Sequence, residues 1–351
     1  MSTNQFRLNP SQSVSNFKGR HELTRAWPST AVSTWHNGGL FGGKWSYTAG
    51  DADETNTYDG RTAYVFTSSG TLTVTAGYVD IFMIGGGGEG FPGHPFASGT
   101  IGGGGGAGGV LYLEDVYMKA GVWDVTVGGQ NSETFIYEDG NTSAPLTDSR
   151  MDSHGTAASN LAVAASEGGG GNYLHGESPA GTHSQTDSQK GSGGGGGTGV
   201  SVGTGSSSDK GNGGTSGDIG RNGANGFIGS GYWGAGAGGS AGGNYSGNSS
   251  YAGAQTDAGI GVTNTHRSAG QTSAYYAVGG SADLWTSIWV SSDNKCDDSN
   301  YEDIGGHSAW QTSDSNNNGA TNTGSGGGGG YTVSGSGSSG ICIFITRAED
   351  A

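Results

Sequence analysis

The chain has 351 residues, but 77 are glycine and 45 are serine, so over a third of it carries almost no side chain to bury, and a large oily core of the ordinary kind is excluded. A formal net charge of −16 argues against a nucleic-acid groove, which needs clustered Lys and Arg to neutralise phosphates. Disorder fits poorly too: only 13% of residues are charged and 9% are aromatic, a ring content that solvated tails seldom carry.

Charge is unevenly spread. Met1 to Gly50 holds the bases Arg7, Lys18, Arg20, Arg25 and Lys44 against one acid, Glu22, so this stretch balances to +4 and the rest to −20. The two regions are expected to meet different partners. Residues 1–60 read as an attachment arm of mixed polarity, with Trp27, Trp35 and Trp45 and the turn-like pairs Asn37-Gly38 and Gly42-Gly43. A disordered leader is the alternative. No apolar stretch of signal-peptide length opens the chain, and the longest aliphatic run, Leu161 to Ala165, is far short of a bilayer span. Neither a standard secretory exit nor membrane insertion is expected.

From Thr62 onward, short period-two runs appear. TAYVFT, TLTVT and YVDIFMI alternate branched or aromatic residues with polar ones and are separated by SSG and AG turns. VLYLEDV from Val110, VWDVTV from Val122 and TFIY from Thr134 follow, and ICIFIT closes the region at Ile341 to Thr346. Strands bracket residues 61–351 at both ends, so the material between them must return the chain to the same sheet or sandwich.

That material is glycine. Tracts occupy Gly85 to Gly88, Gly102 to Gly106, Gly168 to Gly171, Gly193 to Gly197 and Gly326 to Gly330, with looser Gly-x-Gly sequence from Val200 to Gly261. Five flexible linkers inside one compact domain would be unusual, and collagen lacks its sustained register and its prolines here. Glycine in the polyproline II conformation offers another solution. With three residues per turn and no internal hydrogen bonds, its peptide groups point outward on all sides and can bond to neighbours of the same kind. A lone tract would be floppy; a dense bundle, tied at its ends by strands, would be rigid.

The succession YVFTSSGTLTVTAGYVDIFMIGGGG, GGGGGAGGVLYLEDVYMKAGVWDVTVGGQ and NTGSGGGGGYTVSGSGSSGICIFITR resembles the glycine-rich domain of bacteriophage tail-fibre and virion proteins. It is also similar to the extracellular glycine-rich region of anaplastic lymphoma kinase-type receptors. The likeness covers roughly Tyr58 to Arg347 and is one of composition from about Gly176 to Ala320. It implies an all-β fold, a jelly-roll-like antiparallel sandwich with inserted polyglycine II helices and almost no α-helix. Without a kinase or transmembrane segment beside it, the virion branch is favoured. The resemblance implies a non-enzymatic virion surface protein, a tail-fibre or receptor-binding adhesin, and it carries no catalytic residues.

A search for chemistry returns little. Gly238-Gly239-Ser240-Ala241-Gly242 matches a nucleophile elbow only in letters, since no apolar strand precedes it. Repeated Gly-x-Gly-x-x-Gly lacks the strand, helix and acid of a dinucleotide site, and neither a phosphate loop nor HExxH occurs. The eight histidines are scattered singly. The acidic stretch Asp293, Asp297, Asp298, Glu302 and Asp303 fails the EF-hand spacing at Lys295 and Ile304, and reads as a solvated loop rather than a calcium site. No metal or cofactor is expected. Cys296 and Cys342 fit neither a disulfide scaffold nor a zinc site; one bridge and two free thiols both remain open.

Aromatic placement says more. Tyr232, Trp233, Tyr275, Tyr276, Trp285, Trp289, Tyr301 and Trp310 sit among glycine, turns and acidic polar sequence. Rings with a polar handle on rigid turns make good recognition anchors, and the competing use for each is as core or bundle cap. These eight are the expected receptor contacts. Arg7, Lys18, Arg20, Arg25, Trp27 and Trp35 are the expected virion attachment residues. The partners expected are other virion proteins through the arm and a host surface molecule, glycan or outer-membrane protein, with the chain on the virion surface. A homotrimer and a single copy on a trimeric shaft are both compatible. The rival readings are a capsid or tail decoration without receptor binding, and an ice-binding protein.

Overall fold

A computed structural model describes residues 44–93, 101–138, 164–165, 191–195, 220–229, 232–242, 256–267, 274–286, 303–308 and 315–346. Among these the chain is all-β, as the sequence predicts: every paired strand is antiparallel, and the helical content is one 3-10 turn at Ser315–Asn317. The strands β1 (Tyr47–Gly50) and β2 (Glu54–Tyr58) come first. Asp59 and Gly60, with φ of 44° and 70°, form the two-residue primed turn into β3 (Arg61–Phe66). There follow β4 (Gly70–Val74), β5 (Gly77–Ile84), β6 (Val110–Met118), β7 (Gly121–Thr126), β8 (Thr134–Glu138) and β9 (Ala164–Ala165). The short strands β10 (Phe227–Gly229), β11 (Tyr232–Gly234), β12 (Val262–Asn264), β13 (Ala274–Tyr276) and β14 (Leu284–Thr286) lie within the glycine-rich region, and β15 (Ile341–Ile345) ends the fold.

Two five-stranded sheets face each other. The first runs β1-β4-β7-β8-β9 and the second β2-β3-β15-β5-β6. Alternation along each strand sends Leu72, Val74, Trp123, Val125 and Ile136 of the first sheet against Phe66, Ile81, Met83, Val116, Cys342 and Phe344 of the second. The second sheet is buried on its other face as well. There Ala107, Tyr276 and Ala277 cover Val65, Phe82, Ile84, Ile341 and Ile343. Burial on two sides explains why YVDIFMI and ICIFI read as almost unbroken apolar runs.

The expected domain boundary near residue 60 is corrected here. Trp45, 1% exposed, is part of the sandwich core and stacks on Phe344 at 6.3 Å between ring centroids. β1 pairs with β4, and β2 pairs with β3 along its whole length. A β-sheet edge needs ladder partners, so these residues belong to the body. Residues 1–43 lie outside those described.

At the glycine tracts the ladders of the second sheet continue with a new period. The N–H groups of Gly85, Gly88 and Phe91 donate to the carbonyls of Gly109, Gly106 and Gly103, extending the β5–β6 pairing, and Gly87 and Gly90 donate to Ser338 and Gly335, extending β5–β15. Elsewhere Gly102, Gly105 and Gly108 donate to Gly330, Gly327 and Gly324, while Gly104 and Ala107 donate to Gly236 and Gly239. Every third residue returns to the same neighbour, the period of a three-residue turn and not of a two-residue pleat. Tract 324–330 exchanges such bonds with six others among the described residues, 85–91, 102–108, 277–282, 304–307, 316–319 and 335–338. A sheet strand has room for two.

Absence of Cβ makes this possible. A methyl at Gly104 would overlap the Gly280 carbonyl, one at Gly280 the Gly327 carbonyl, and one at Gly328 the His307 carbonyl. Some side chains enter the array by replacing a backbone partner. Ser240 Oγ donates to Gly259 O at 2.7 Å and accepts from Gly279 N at 2.8 Å, so the serine of the elbow-like pentapeptide is a buried cross-tie.

Candidate functional site

The molecule has two poles. Chain polarity defines them: β5 runs toward the glycine array and ends at Ile84, and the array hands the chain back to β6 at Val110 and β15 at Ile341. Residues 85–91 carry it outward alongside 103–109 and 335–338. Ala107 and Ala277 mark the inner end, packed on the second sheet, and Ile101, Ala235 and Ala282 form a small buried cluster at the outer end.

Beyond that outer cluster lies a three-stranded sheet, β10-β11-β14. Its register pairs Ile228 with Trp233 and Trp233 with Trp285, and sets Tyr232 opposite Thr286. Three of the predicted contact residues, 232, 233 and 285, separated by some fifty positions in sequence, are thus joined in one ladder at the outer pole.

Tyr275 and Tyr276 sit at the inner end instead, in β13. The expectation that Tyr276 contacts a receptor is corrected: it is 1% exposed and packs edge-on against Phe82 at 5.6 Å, filling the layer between the second sheet and the array. With few aliphatic side chains available, a ring supplies that volume. Tyr275 is half-buried and packs on Ala258 and Val278. Trp289, Tyr301 and Trp310 lie outside the described residues, as do Arg7, Lys18, Arg20, Arg25, Trp27 and Trp35.

The opposite pole receives the chain. Thr75, in the turn between β4 and β5, donates its hydroxyl to the Lys44 carbonyl at 2.7 Å, and Ser46 and Thr75 bond through side chain and backbone. The Val74–Gly77 turn is at the end of the sandwich remote from the array, since β4 starts and β5 finishes at the array end. Residues 1–43 therefore join the body on the side away from Trp233 and Trp285.

A polar and aromatic cluster that the sequence does not reveal lies on the second sheet's outer face. Tyr58 on β2 is hydrogen-bonded to Nδ1 of His266, 208 positions away. Tyr112 on β6 stacks on the same imidazole at 6.0 Å, and Phe82 meets Tyr112 at 6.3 Å. Arg267 forks onto Glu54 at 2.8 and 3.3 Å, and Arg61 reaches Asp80 at 3.4 Å. Burial pushes the Tyr58 phenol up to about 12, so it serves as a donor, with Arg61 partly offsetting that rise. Burial, then Arg61, holds His266 below its ordinary value, while Asp80 pulls the other way. No local motif announces such a cluster, because its members come from β2, β3, β5, β6 and the turn after β12.

Cys342 is a free thiol in the sandwich core, its pKa raised by burial, and Cys296 lies outside the described residues. Of the acidic stretch, Asp303 is described and lies 3.6 Å from His307. Among the described residues no group of three or more His, Cys, Asp or Glu is placed to share a cation, and no helix is long and apolar enough to cross a membrane. Comparison with protein families, with curated proteins and with solved structures found no significant match.

Proposed function

We propose that this chain is a non-enzymatic bacteriophage virion surface protein, a tail-fibre or receptor-binding adhesin that attaches to the particle through its N-terminal residues and meets a host surface molecule with its outer pole. The sandwich is read as jelly-roll-like and the glycine tracts as polyglycine II helices, a reading supported by the three-residue bond period and by the six-neighbour tract 324–330.

One observation carries the proposal: attachment and recognition have opposite poles to occupy. The chain enters beside Thr75, and the aromatic ladder of Tyr232, Trp233 and Trp285 lies past the far end of the array. A rigid spacer of about 20 Å holds that ladder away from the sandwich. Aromatic residues on a short, firmly anchored sheet offer large contact area at small entropic cost, which suits a glycan or the loops of an outer-membrane protein.

The test is adsorption. Particles carrying Trp233→Ala with Trp285→Ala should lose binding to host cells, while the purified protein melts as the parent does. Undiminished adsorption with less stable particles would favour a decoration role and contradict the adhesin.

A further inference from the structure

We propose that the outer pole binds an uncharged saccharide, stacked along the row Ile228–Trp233–Trp285 and held at its rim by the turn 331–334. The inference rests on the adhesin reading above and names the ligand class that this pole suits.

Charge is the first observation. The chain has a formal net charge of −16. Yet the described residues at the outer end, 90–93, 101–104, 227–229, 232–238, 256–258, 280–286, 307–308 and 328–335, include three Asp, Glu, Lys, Arg or His side chains, and all three are buried. Asp257 is 7% exposed, Asp283 0% and His307 5%. Exposed charges on the array sit further in. Glu89 is bonded to Gln130 of the β7–β8 turn at 3.0 Å, and the Arg221 carbonyl accepts from Gly193, level with Ala107. Asp303 precedes Ile304, whose carbonyl accepts from Ala320 near the inner end. A phosphate, carboxylate or ammonium group brought against the outer end would lose its water with no exposed counter-charge among the described residues to replace it. An anion would also have to cross the field of the acidic body. A sugar without charged substituents meets neither penalty.

Register is the second. Directly paired residues share a face, so Ile228, Trp233 and Trp285 form one row across β10, β11 and β14, and Tyr232 and Thr286 belong to the other face. Three strands set about 4.8 Å apart give that row a length of about 10 Å. A pyranose has a face of C–H groups that stacks on an indole and a rim of hydroxyls that needs uncharged hydrogen-bonding partners.

The turn 331–334 supplies such partners, and its base is fixed. Gly330 donates to the Phe91 carbonyl and accepts from Gly93 and Gly102, while Gly335 donates to Gly328. Gly102 follows Ile101, which packs with Ala235, next after β11, and with Ala282, just before β14. Turn and sheet are thereby tied together through Ile101. Thr332 is exposed, and Tyr331 and Ser334 are half-buried. Rings and hydroxyls without a formal charge make a site whose affinity is insensitive to ionic strength.

Binding of the full chain to host cells tests this, with the cells treated beforehand either by periodate, which cleaves sugar diols, or by protease. Periodate should abolish binding and protease should spare it. Between about 0.05 and about 0.5 M sodium chloride the affinity should change by less than about twofold. Trp285→Ala should weaken binding roughly tenfold at both salt concentrations. If that variant does not fold, Thr332→Ala, at an exposed position, should weaken binding several-fold. Binding that survives periodate and is lost to protease would assign the pole to a protein ligand and overturn the saccharide. A roughly tenfold weakening in salt would mean a charged ligand and do the same. Full binding by both variants would place the contact elsewhere and also overturn it. In the first two of these cases the adhesin reading stands; a parent chain that binds no cells ends both.

Discussion

At the scale of single residues, a glycine here is defined by what would occupy the place of its Cβ. Gly280 and Gly328 face the carbonyls of Gly327 and His307, whereas Gly129 is exposed and has nothing within 4 Å of that position. Gly280→Ala is expected to cost about 3 kcal/mol or more, because backbone and not a flexible side chain must give way. Gly129→Ala should stay within roughly 0.5 kcal/mol of the parent. Chemical denaturation of both variants checks the contrast. Carboxylates act at the same scale: Asp53 Oδ2 accepts from the Thr67 and Ser68 amides at 2.7 and 3.0 Å. Burial raises its pKa, but these bonds outweigh burial and leave it lowered; Asp51 is lowered by the Thr71 amide and hydroxyl. A lowered folded value means stability present above the ordinary carboxylate range and lost as pH falls through the folded value. Asp53→Asn should therefore narrow the gap in unfolding midpoint between neutral and acid pH, and an unchanged gap would contradict the assignment.

Among the elements, strands were legible and the arm's limit was not. TAYVFT, YVDIFMI and ICIFIT announce themselves by alternation and aliphatic content, and β3, β5 and β15 stand where those runs lie. β2 is ETNTY, too polar to signal burial, and its strand character comes from pairing with β3 across Asp59-Gly60. That Asp-Gly pair was the signal available, since it favours a primed two-residue turn. Trp45 was visible as an aromatic, but its place in the sandwich depends on Phe344, some 300 positions away. Truncation follows from this boundary. Removing residues 1–43 should leave the unfolding transition of the body unchanged, whereas removing residues 1–50 takes Trp45 and β1 with it and should cost about 3–5 kcal/mol. Equal stability of the two truncations would return the boundary to residue 60. In particle assembly, both should fail to incorporate if the N-terminal residues are the anchor.

For the whole molecule, glycine content set the question, and the hydrogen-bond period of the described tracts is the observation that favours a bundle. Composition alone left linkers and a bundle open; the tracts are chemically alike in either case, and the difference lies in which neighbours they meet. The aromatic ladder was half legible for the same reason. Tyr232 and Trp233 were visible as a pair in a Gly/Ala run, while their meeting with Trp285 depends on tracts 235–241 and 277–283 lying side by side, with Ala235, Gly238 and Ala241 donating to Asp283, Gly280 and Ala277. The most direct test of the array is the exchange rate of its central tract. Amides of 324–330 should exchange as slowly as those of β5 and β15, near the limit set by global unfolding; exchange at the rate of an unstructured Gly/Ser chain, with β5 and β15 still protected, would contradict the account.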